Sequence, residues 1–508
     1  MSGTSLRELL GLPGVSRLVG DSRAEAVQVT GVSSDSRRVG KGDLFAALSG
    51  RNVDGARFVE QAIKRGAVAV LAERELQTSL PLLLVDNVRE RLGPLAHHLY
   101  GEPTRELITV GVTGTNGKTT VTYLLESVLT HARHVPALLG TVAQRGPLGE
   151  EAAELTTPEA DRIAAFSREA RDAGASHLLI EVSSVALSEQ RVRGMHFAVA
   201  AFTNLTHDHL DYHGTLEAYG EEKARLFTEY APDTSVIVVD EPFGRSLAQR
   251  AGARVSARVL RCSVTGLPEA DLRVRSFSST RQGLRAEVET PVGLLQLESP
   301  LFGAHNLENL LVAIGCAIAL GVSLETISGA LRTAKGAPGR LERVQDPRGV
   351  LVLVDYAHTP DAVTRALSAL RPLTDGRLFV VFGCGGDRDR QKRAPMAEAA
   401  GRAADFAVLT SDNPRTESVP QILADMEPGV ASALPKLGLP KLRSAVRGYV
   451  VVPDRAQAIH AALEAARPGD TVLLAGKGHE TYQVVGNTRY AFDDRIQAAR
   501  ALTSLGGG

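Results

Sequence analysis

The sequence has little from which to build a disulfide framework or a thiolate metal site. Its three cysteines, Cys262, Cys316 and Cys384, are widely separated and show no CxxC spacing. It also lacks a charge excess of either sign. With 57 Lys and Arg against 58 Asp and Glu, the net charge is -1, so no bulk field draws in nucleic acid or an anionic membrane surface. Partners must be recognised at local sites. No apolar run approaches the roughly 20 residues of a membrane helix, and repeats and low-complexity tracts are absent. The opening Met-Ser-Gly-Thr-Ser lacks the basic region and long apolar core of a signal peptide. The expectation is a cytoplasmic monomer that binds neither nucleic acid nor membrane.

What is present is the composition of an ordinary globular protein, 44% hydrophobic and 23% charged. A chain of 508 residues is too long for one core, and at roughly 100–200 residues per domain it predicts about three. Residues 1–101 hold short alternating strands such as 43–48 and 68–71, a small α/β module. Residues 102–336 alternate buried strands with helices, which implies parallel strands and crossover helices. Within them, 259–297 reads as β-hairpins and 306–320 as a helix. The breaker cluster Gly336-Ala337-Pro338-Gly339 marks a second boundary. Residues 337–508 then read as a Rossmann-like open α/β domain, with strands near 350–355, 378–382, 406–410 and 471–475. The fold class is therefore α/β in three domains, with the central one built around a mostly parallel sheet.

The strongest local signal is Gly111 to Thr120, Gly-Val-Thr-Gly-Thr-Asn-Gly-Lys-Thr-Thr, between a strand and a helix. Backbone N–H groups of Gly114, Thr115, Asn116, Gly117 and Thr120 would cradle phosphates. Lys118 would reach the outer ones, and Thr119 would offer its hydroxyl to magnesium. Val112 stands where a strict P-loop has its first glycine, and a plain Gly-rich turn is the bland alternative. Glu181 closes a strand, where a carboxylate either holds a metal or is merely solvated. The segment from Asn204 to Gly214 packs three histidines and two aspartates into one loop. Zinc is conceivable there, but phosphate chemistry beside a P-loop favours magnesium. Lys223, taken alone, is an exposed helix lysine.

In the last region, Asp355 and His358 sit at a strand end before Pro360, as ligand contacts or as a capping turn. Gly383 to Arg388 is a second Gly-rich strand-to-helix turn. The Asn-Pro turn Asp412-Asn413-Pro414-Arg415 ends in a guanidinium able to grip a carboxylate with two bonds. Gly476 permits close approach of a ligand, and Glu480 can accept a hydrogen bond from an ammonium. All four stretches are expected at the carboxyl ends of strands in one sheet.

Together these stretches resemble the Mur ligase family, in motif order over nearly the whole chain. The specific signatures are Thr-Gly-Thr-Asn-Gly-Lys-Thr-Thr at 113–120, Glu-Val-Ser-Ser at 181–184 and His-Asp-His-Leu-Asp-Tyr-His-Gly at 207–214. The resemblance implies an ATP-dependent ligase of peptidoglycan precursor synthesis that joins meso-diaminopimelate to UDP-N-acetylmuramoyl-L-alanyl-D-glutamate. It implies that Thr119, Glu181 and His209 serve two Mg2+ ions. It also implies that Lys223 carries a CO2-derived carbamate and joins them as a metal ligand. Ser36, Thr156, Thr157, Ser183, Glu189 and Arg191 match the UDP-sugar dipeptide site. His305, Asn306 and Asn309 match the adenine side, and Arg340, Asp355 and His358 the further ATP contacts. Arg388, Asp412, Asn413, Pro414, Arg415, Gly476 and Glu480 match the pocket for the incoming amino acid. Val185, Glu189 and Arg51 depart from the family pattern, which has histidine, glutamine and histidine there.

The implied reaction forms an acyl phosphate, with Lys118 and magnesium neutralising charge on the transferring phosphoryl group. Closure of the third domain would bring Arg388 and Arg415 over the central site and exclude water. Arg415 predicts meso-diaminopimelate over lysine or ornithine. Competing readings are a related amide ligase such as a folylpolyglutamate synthase, and a P-loop nucleotide switch.

Overall fold

Six short strands, most of them apolar and buried, build the parallel part of the sheet that carries the first candidate site. Such strands demand cover on each side, the condition under which parallel strands are stable. The computed structural model describes residues 3–50, 53–208, 210–253 and 257–506. Contacts divide the chain into two compact units, Met1–Arg275 with Val288–Leu295 and Glu308–Leu331, and Ser276–Glu287 with Gln296–Leu307 and Arg332–Gly508.

In the first unit, Ile108–Thr113 pairs in parallel with His177–Glu181 on one side and Val199–Phe202 on the other. Pro136–Leu139 lies beyond the former. Thr234–Val238 and then Arg258–Ser263 lie beyond the latter. The chain thus leaves Ile108–Thr113 toward one edge and later returns past it toward the other. Such a reversal opens a crevice at the carboxyl ends of the central strands, where open α/β sheets bind ligands. The loop Gly114–Gly117 starts there, and the helix Lys118–His131 follows it.

A second sheet in this unit has the order Val15–Val19, Leu82–Val85, Ala69–Ala72, Asp43–Ala46, Gly31–Ser33. All its neighbours are parallel except the first pair. Its core is continuous with Ala160 and Ala164 of the helix Ala160–Asp172. Asp161 on that helix accepts hydrogen bonds from both the backbone N–H and the hydroxyl of Ser34, each at 2.9 Å.

The second unit holds a parallel sheet in the order Leu351–Asp355, Thr471–Ala475, Leu378–Phe382, Phe406–Leu409, Gly448–Val451, edged by the antiparallel Glu342–Val344. Two buried clusters, one on each face, sandwich it between helices. The carboxyl ends of four strands carry Asp355, Gly383, Thr410 and Gly476.

Two sequence expectations change. The expected run of hairpins over 259–297 starts too early, because Arg258–Ser263 pairs in parallel with Thr234–Val238. The hairpin strands begin at Leu272, with two-residue connections Arg281-Gln282 and Pro291-Val292. The hairpin Tyr482–Val485 with Thr488–Ala491 was not anticipated. It is short and exposed, so it has no apolar pattern to announce it.

Candidate active site

The loop after Ile108–Thr113 has its shape because two positions exclude any side chain. Gly114 and Gly117 have φ of 145° and 91°. A Cβ on the first would collide with Thr203 Oγ1, and one on the second with Asn309 Oδ1. The loop is laced to the end of the next strand. Thr115 N–H donates to Asn204 O at 2.9 Å and Asn116 N–H to Asn204 Oδ1 at 3.0 Å. Thr203 Oγ1 donates to Asn116 O at 2.6 Å. Past the loop, the first-turn amides of the helix Lys118–His131 have no partner within the helix and point toward the crevice, an arrangement that favours anions.

Two lysines converge on this loop. Lys118 Nζ donates to Gly114 O and Thr115 O, both at 2.9 Å, and Lys223 Nζ donates to Gly114 O at 2.8 Å. Lys223 is no exposed helix lysine. It is 1% exposed, because its side of the helix Leu216–Thr228 packs inward, with Nζ 4.3 Å from the centre of the Tyr219 ring. Burial drives its pKa well below the ordinary lysine value, and the nearby charge of Lys118 adds to the effect.

Glu181 is fully buried at the end of the strand next door. Its carboxylate accepts from the Thr119 hydroxyl at 2.9 Å, from the Thr141 N–H at 2.7 Å and from the Thr141 hydroxyl at 3.0 Å. Every one of these donors is neutral. Hard oxygen donors from Thr119 and Glu181 fit a magnesium ion, and a buried lysine amine that resists protonation fits carbamylation. His209 and Arg51 lie outside the described residues. Thr120 is buried one position beyond Thr119.

The chain then links this carboxylate to the expected dipeptide side. Thr141 Oγ1 donates to Thr156 Oγ1 at 3.1 Å, and Thr157 Oγ1 donates to Glu181 O at 2.7 Å. Ser183 N–H donates back to Thr157 Oγ1 at 3.1 Å, and Arg191 Nη1 to Thr157 O at 3.1 Å. Arg191 also pairs with Glu159 at 3.0 Å. Glu189 pairs with Arg89 at 2.5 Å and accepts from the Tyr212 hydroxyl at 2.9 Å. Ser36 lies apart from this chain of bonds, its hydroxyl donating to Gln61 Oε1 at 2.9 Å.

In the second unit, three expected stretches meet at one sheet edge. Gly386 N–H donates to Asn413 O at 2.9 Å, and Arg415 Nη1 donates to Gly386 O at 2.7 Å. Asn413 Nδ2 donates to Glu480 Oε2 at 2.8 Å. A Cβ on Gly386 would collide with Pro414 O, and one on Gly476 would press on the Asp412 carboxylate at 2.8 Å. Arg388 is exposed and makes no hydrogen bond or ion pair with the described residues. Asp355 accepts from Leu341 N–H at 2.7 Å and Ala357 N–H at 2.8 Å. Burial raises its pKa, against the pull of Arg340. Arg340 stacks over Tyr356 at 4.9 Å, and the Tyr356 ring lies 4.5 Å from that of His358. Burial lowers the His358 pKa. Thr359 caps the helix Pro360–Leu370, so the capping turn is real as well. Asn306 donates to Phe302 O at 2.9 Å.

Sequence reasoning did not single out Thr141, and gave no role of their own to Asn204 and Lys477 within the stretches it picked out. Thr141 had a findable signal in the Gly-Thr pair directly after the strand Pro136–Leu139. The other two became visible only through their partners.

Known proteins repeat this layout. Residues 28–100, 112–317 and 339–478 match, in turn, family models described as Mur ligase family, catalytic domain; Mur ligase middle domain; and Mur ligase, glutamate ligase domain. A UDP-N-acetylmuramoyl-L-alanyl-D-glutamate--2,6-diaminopimelate ligase of Parasynechococcus marenigrum is 44% identical over 491 residues, spanning 94% of this chain and 95% of the relative. Its namesake from Synechococcus elongatus is 45% identical, spanning 98% and 99%. A solved structure of an enzyme of that name has a TM-score of 0.72 at 33% identity, covering 100% of both chains.

Proposed function

The chain belongs to the Mur ligase family and is an ATP-dependent ligase that forms amide bonds, and from that premise we propose that it adds meso-diaminopimelate to UDP-N-acetylmuramoyl-L-alanyl-D-glutamate. The observation that carries this reading is the buried Glu181 carboxylate tied to Thr119 at the mouth of a phosphate loop on which two lysines converge. Relatives named for this reaction match along almost the full length.

The D-glutamyl carboxylate attacks the γ-phosphorus of ATP, ADP departs, and an acyl phosphate remains. The amine of the amino acid then attacks the acyl carbon, phosphate leaves, and the amine gives up a proton. Lys118 places positive charge against the outer phosphates, and the amides of the helix N-terminus hold the inner ones. Thr119, Glu181, His209 and a carbamylated Lys223 would hold two Mg2+ ions, which offset the negative charge on the transferring phosphoryl group. Burial lowers the Lys223 pKa, which favours the free amine that carbamylation needs, and a carbamate on that nitrogen would make it an anionic ligand for the cations. Asn306, Asn309, Arg340, Asp355 and His358 serve the nucleotide. Ser36, Thr156, Thr157, Ser183, Glu189 and Arg191 serve the UDP-linked dipeptide. Arg388, Asp412 to Arg415, Gly476 and Glu480 serve the amino acid, and the Arg415 guanidinium selects a ligand with a second carboxylate. Domains at 1–101, 102–336 and 337–508, a monomer and a cytoplasmic place of work complete the proposal.

ADP release measured against a panel of amino acids, with ATP, Mg2+ and the UDP-linked dipeptide present, tests it. Release stimulated by meso-diaminopimelate and little by lysine or ornithine is expected. Amino-acid-independent release would instead favour a nucleotide switch.

A further inference from the structure

Lys477 is completely buried, although it sits on the turn directly after Thr471–Ala475, where a lysine would ordinarily reach solvent. The two glycines beside it explain this. Gly476 and Gly478 have φ of 111° and 52°, and these left-handed corners turn the residue between them inward. Its ammonium then meets two groups of the candidate amino-acid pocket, Glu480 Oε2 at 2.9 Å and Asn413 Oδ1 at 3.3 Å. The same amide oxygen accepts from Val484 N–H at 2.9 Å, and Asn413 Nδ2 donates to Glu480 Oε2 at 2.8 Å. Lys477 and the Val484 N–H together fix which way the Asn413 amide points. Lys477 also occupies Glu480 Oε2, while Oε1 of that carboxylate has no hydrogen-bond partner among the described residues.

We infer that Lys477 is a positioning residue for amino-acid recognition: it pins Glu480 and Asn413 so that Glu480 Oε1 is presented to the ammonium group of the incoming amino acid. This deepens the proposed function and rests on it. A polar triad whose members bond to one another is held in one geometry, and a ligand-contacting carboxylate anchored through one oxygen loses little rotamer freedom on binding. Lys477 itself stays out of the ligand's reach.

Steady-state ADP release tests this, with each of the three substrates varied in turn. Lys477→Met is expected to raise KM for meso-diaminopimelate by about 10- to 100-fold, the scale on which groups orienting a contact residue act. KM for ATP and for the UDP-linked dipeptide should stay within about twofold of the wild type, since those sites do not use the triad. Lys477→Met/Glu480→Gln should bind the amino acid no worse than Glu480→Gln alone, because the lysine acts only through the carboxylate. If Lys477→Met does not fold by thermal melt, comparing the double variant and Lys477→Gln with Glu480→Gln decides the matter. An unchanged amino-acid KM, a parallel rise in all three KM values, or additive losses in the double variant would overturn the inference. Wild-type enzyme without amino-acid-dependent ADP release would instead overturn the proposed function.

Discussion

Around Gly114–Gly117, the buried carboxylate of Glu181 is held by hydroxyls and an amide, and the two nearby lysines lean on backbone carbonyls. At the sheet edge of the second unit, buried cations are matched by carboxylates. Lys477 pairs with Glu480 at 2.9 Å, Arg393 with Glu417 and Asp425 at 2.8 Å each, and Arg455 with Asp494 at 2.6 Å. The difference follows from the ligands each region would receive. A polyphosphate with its cations brings strong charges of both signs, and a carboxylate held by neutral donors leaves its negative charge for such a cation. A small zwitterion with a second carboxylate brings little net charge, so its pocket must be rigid before binding, and internal ion pairs supply that rigidity.

Lys118→Ala gives the sharpest break in the first region. Turnover by ADP release should fall on the order of 1000-fold, since charge on the phosphoryl group loses the lysine that faces it, while the thermal melt changes little. Wild-type rates in that variant would refute the phosphate role.

Lys223→Met separates stability from activity. Because burial lowers the Lys223 pKa, the unfolded chain binds more protons than the folded one at pH values up to the ordinary lysine value of 10.5. Unfolding free energy therefore rises with pH through that window, and the penalty is largest at its acidic end. In CO2-free buffer near neutral pH, the variant should be more stable by roughly 1–4 kcal/mol, should lose this pH slope, and should lack ligase activity. A less stable variant with the slope intact would contradict the assignment.

Arg415→Met probes the second region. The preference for meso-diaminopimelate over L-lysine, taken as a ratio of kcat/KM values, should fall about 10- to 100-fold. An unchanged ratio, or a wild-type preference for lysine, would sink the selectivity argument. The smallest effect is expected at Glu189→Gln, which weakens the partly exposed pair with Arg89. KM for the UDP-linked dipeptide should move by less than about fivefold, and a larger change would make that pair part of the recognition surface.

Much of this architecture was legible along the chain. Alternating apolar strands and helices announced two open α/β regions, and Thr113 to Thr120 announced a phosphate loop between strand and helix. The placement of Asp355, Gly383, Asp412 and Gly476 at the carboxyl ends of one sheet followed from where the apolar runs stop. These are local patterns, set by backbone periodicity and by the few residues that tolerate a tight turn. Lys223 shows where such reasoning ends. Within Glu221-Glu222-Lys223-Ala224-Arg225 it has the neighbours of a solvated lysine, yet its side of the helix faces Tyr219 and Gly114. Lys477 and the Arg89–Glu189 pair were equally silent, since each takes its meaning from a partner brought close by the fold.

By itself, the order of residues determined the strands, the glycine corners and the reactive side chains at their tips, because these depend on a few neighbouring dihedral angles and on apolar spacing. Only the tertiary structure decided which charges are buried, which carboxylate oxygen is spoken for and which lysine has its pKa lowered. Those properties depend on desolvation and on contacts between segments remote in sequence, and no local pattern encodes them.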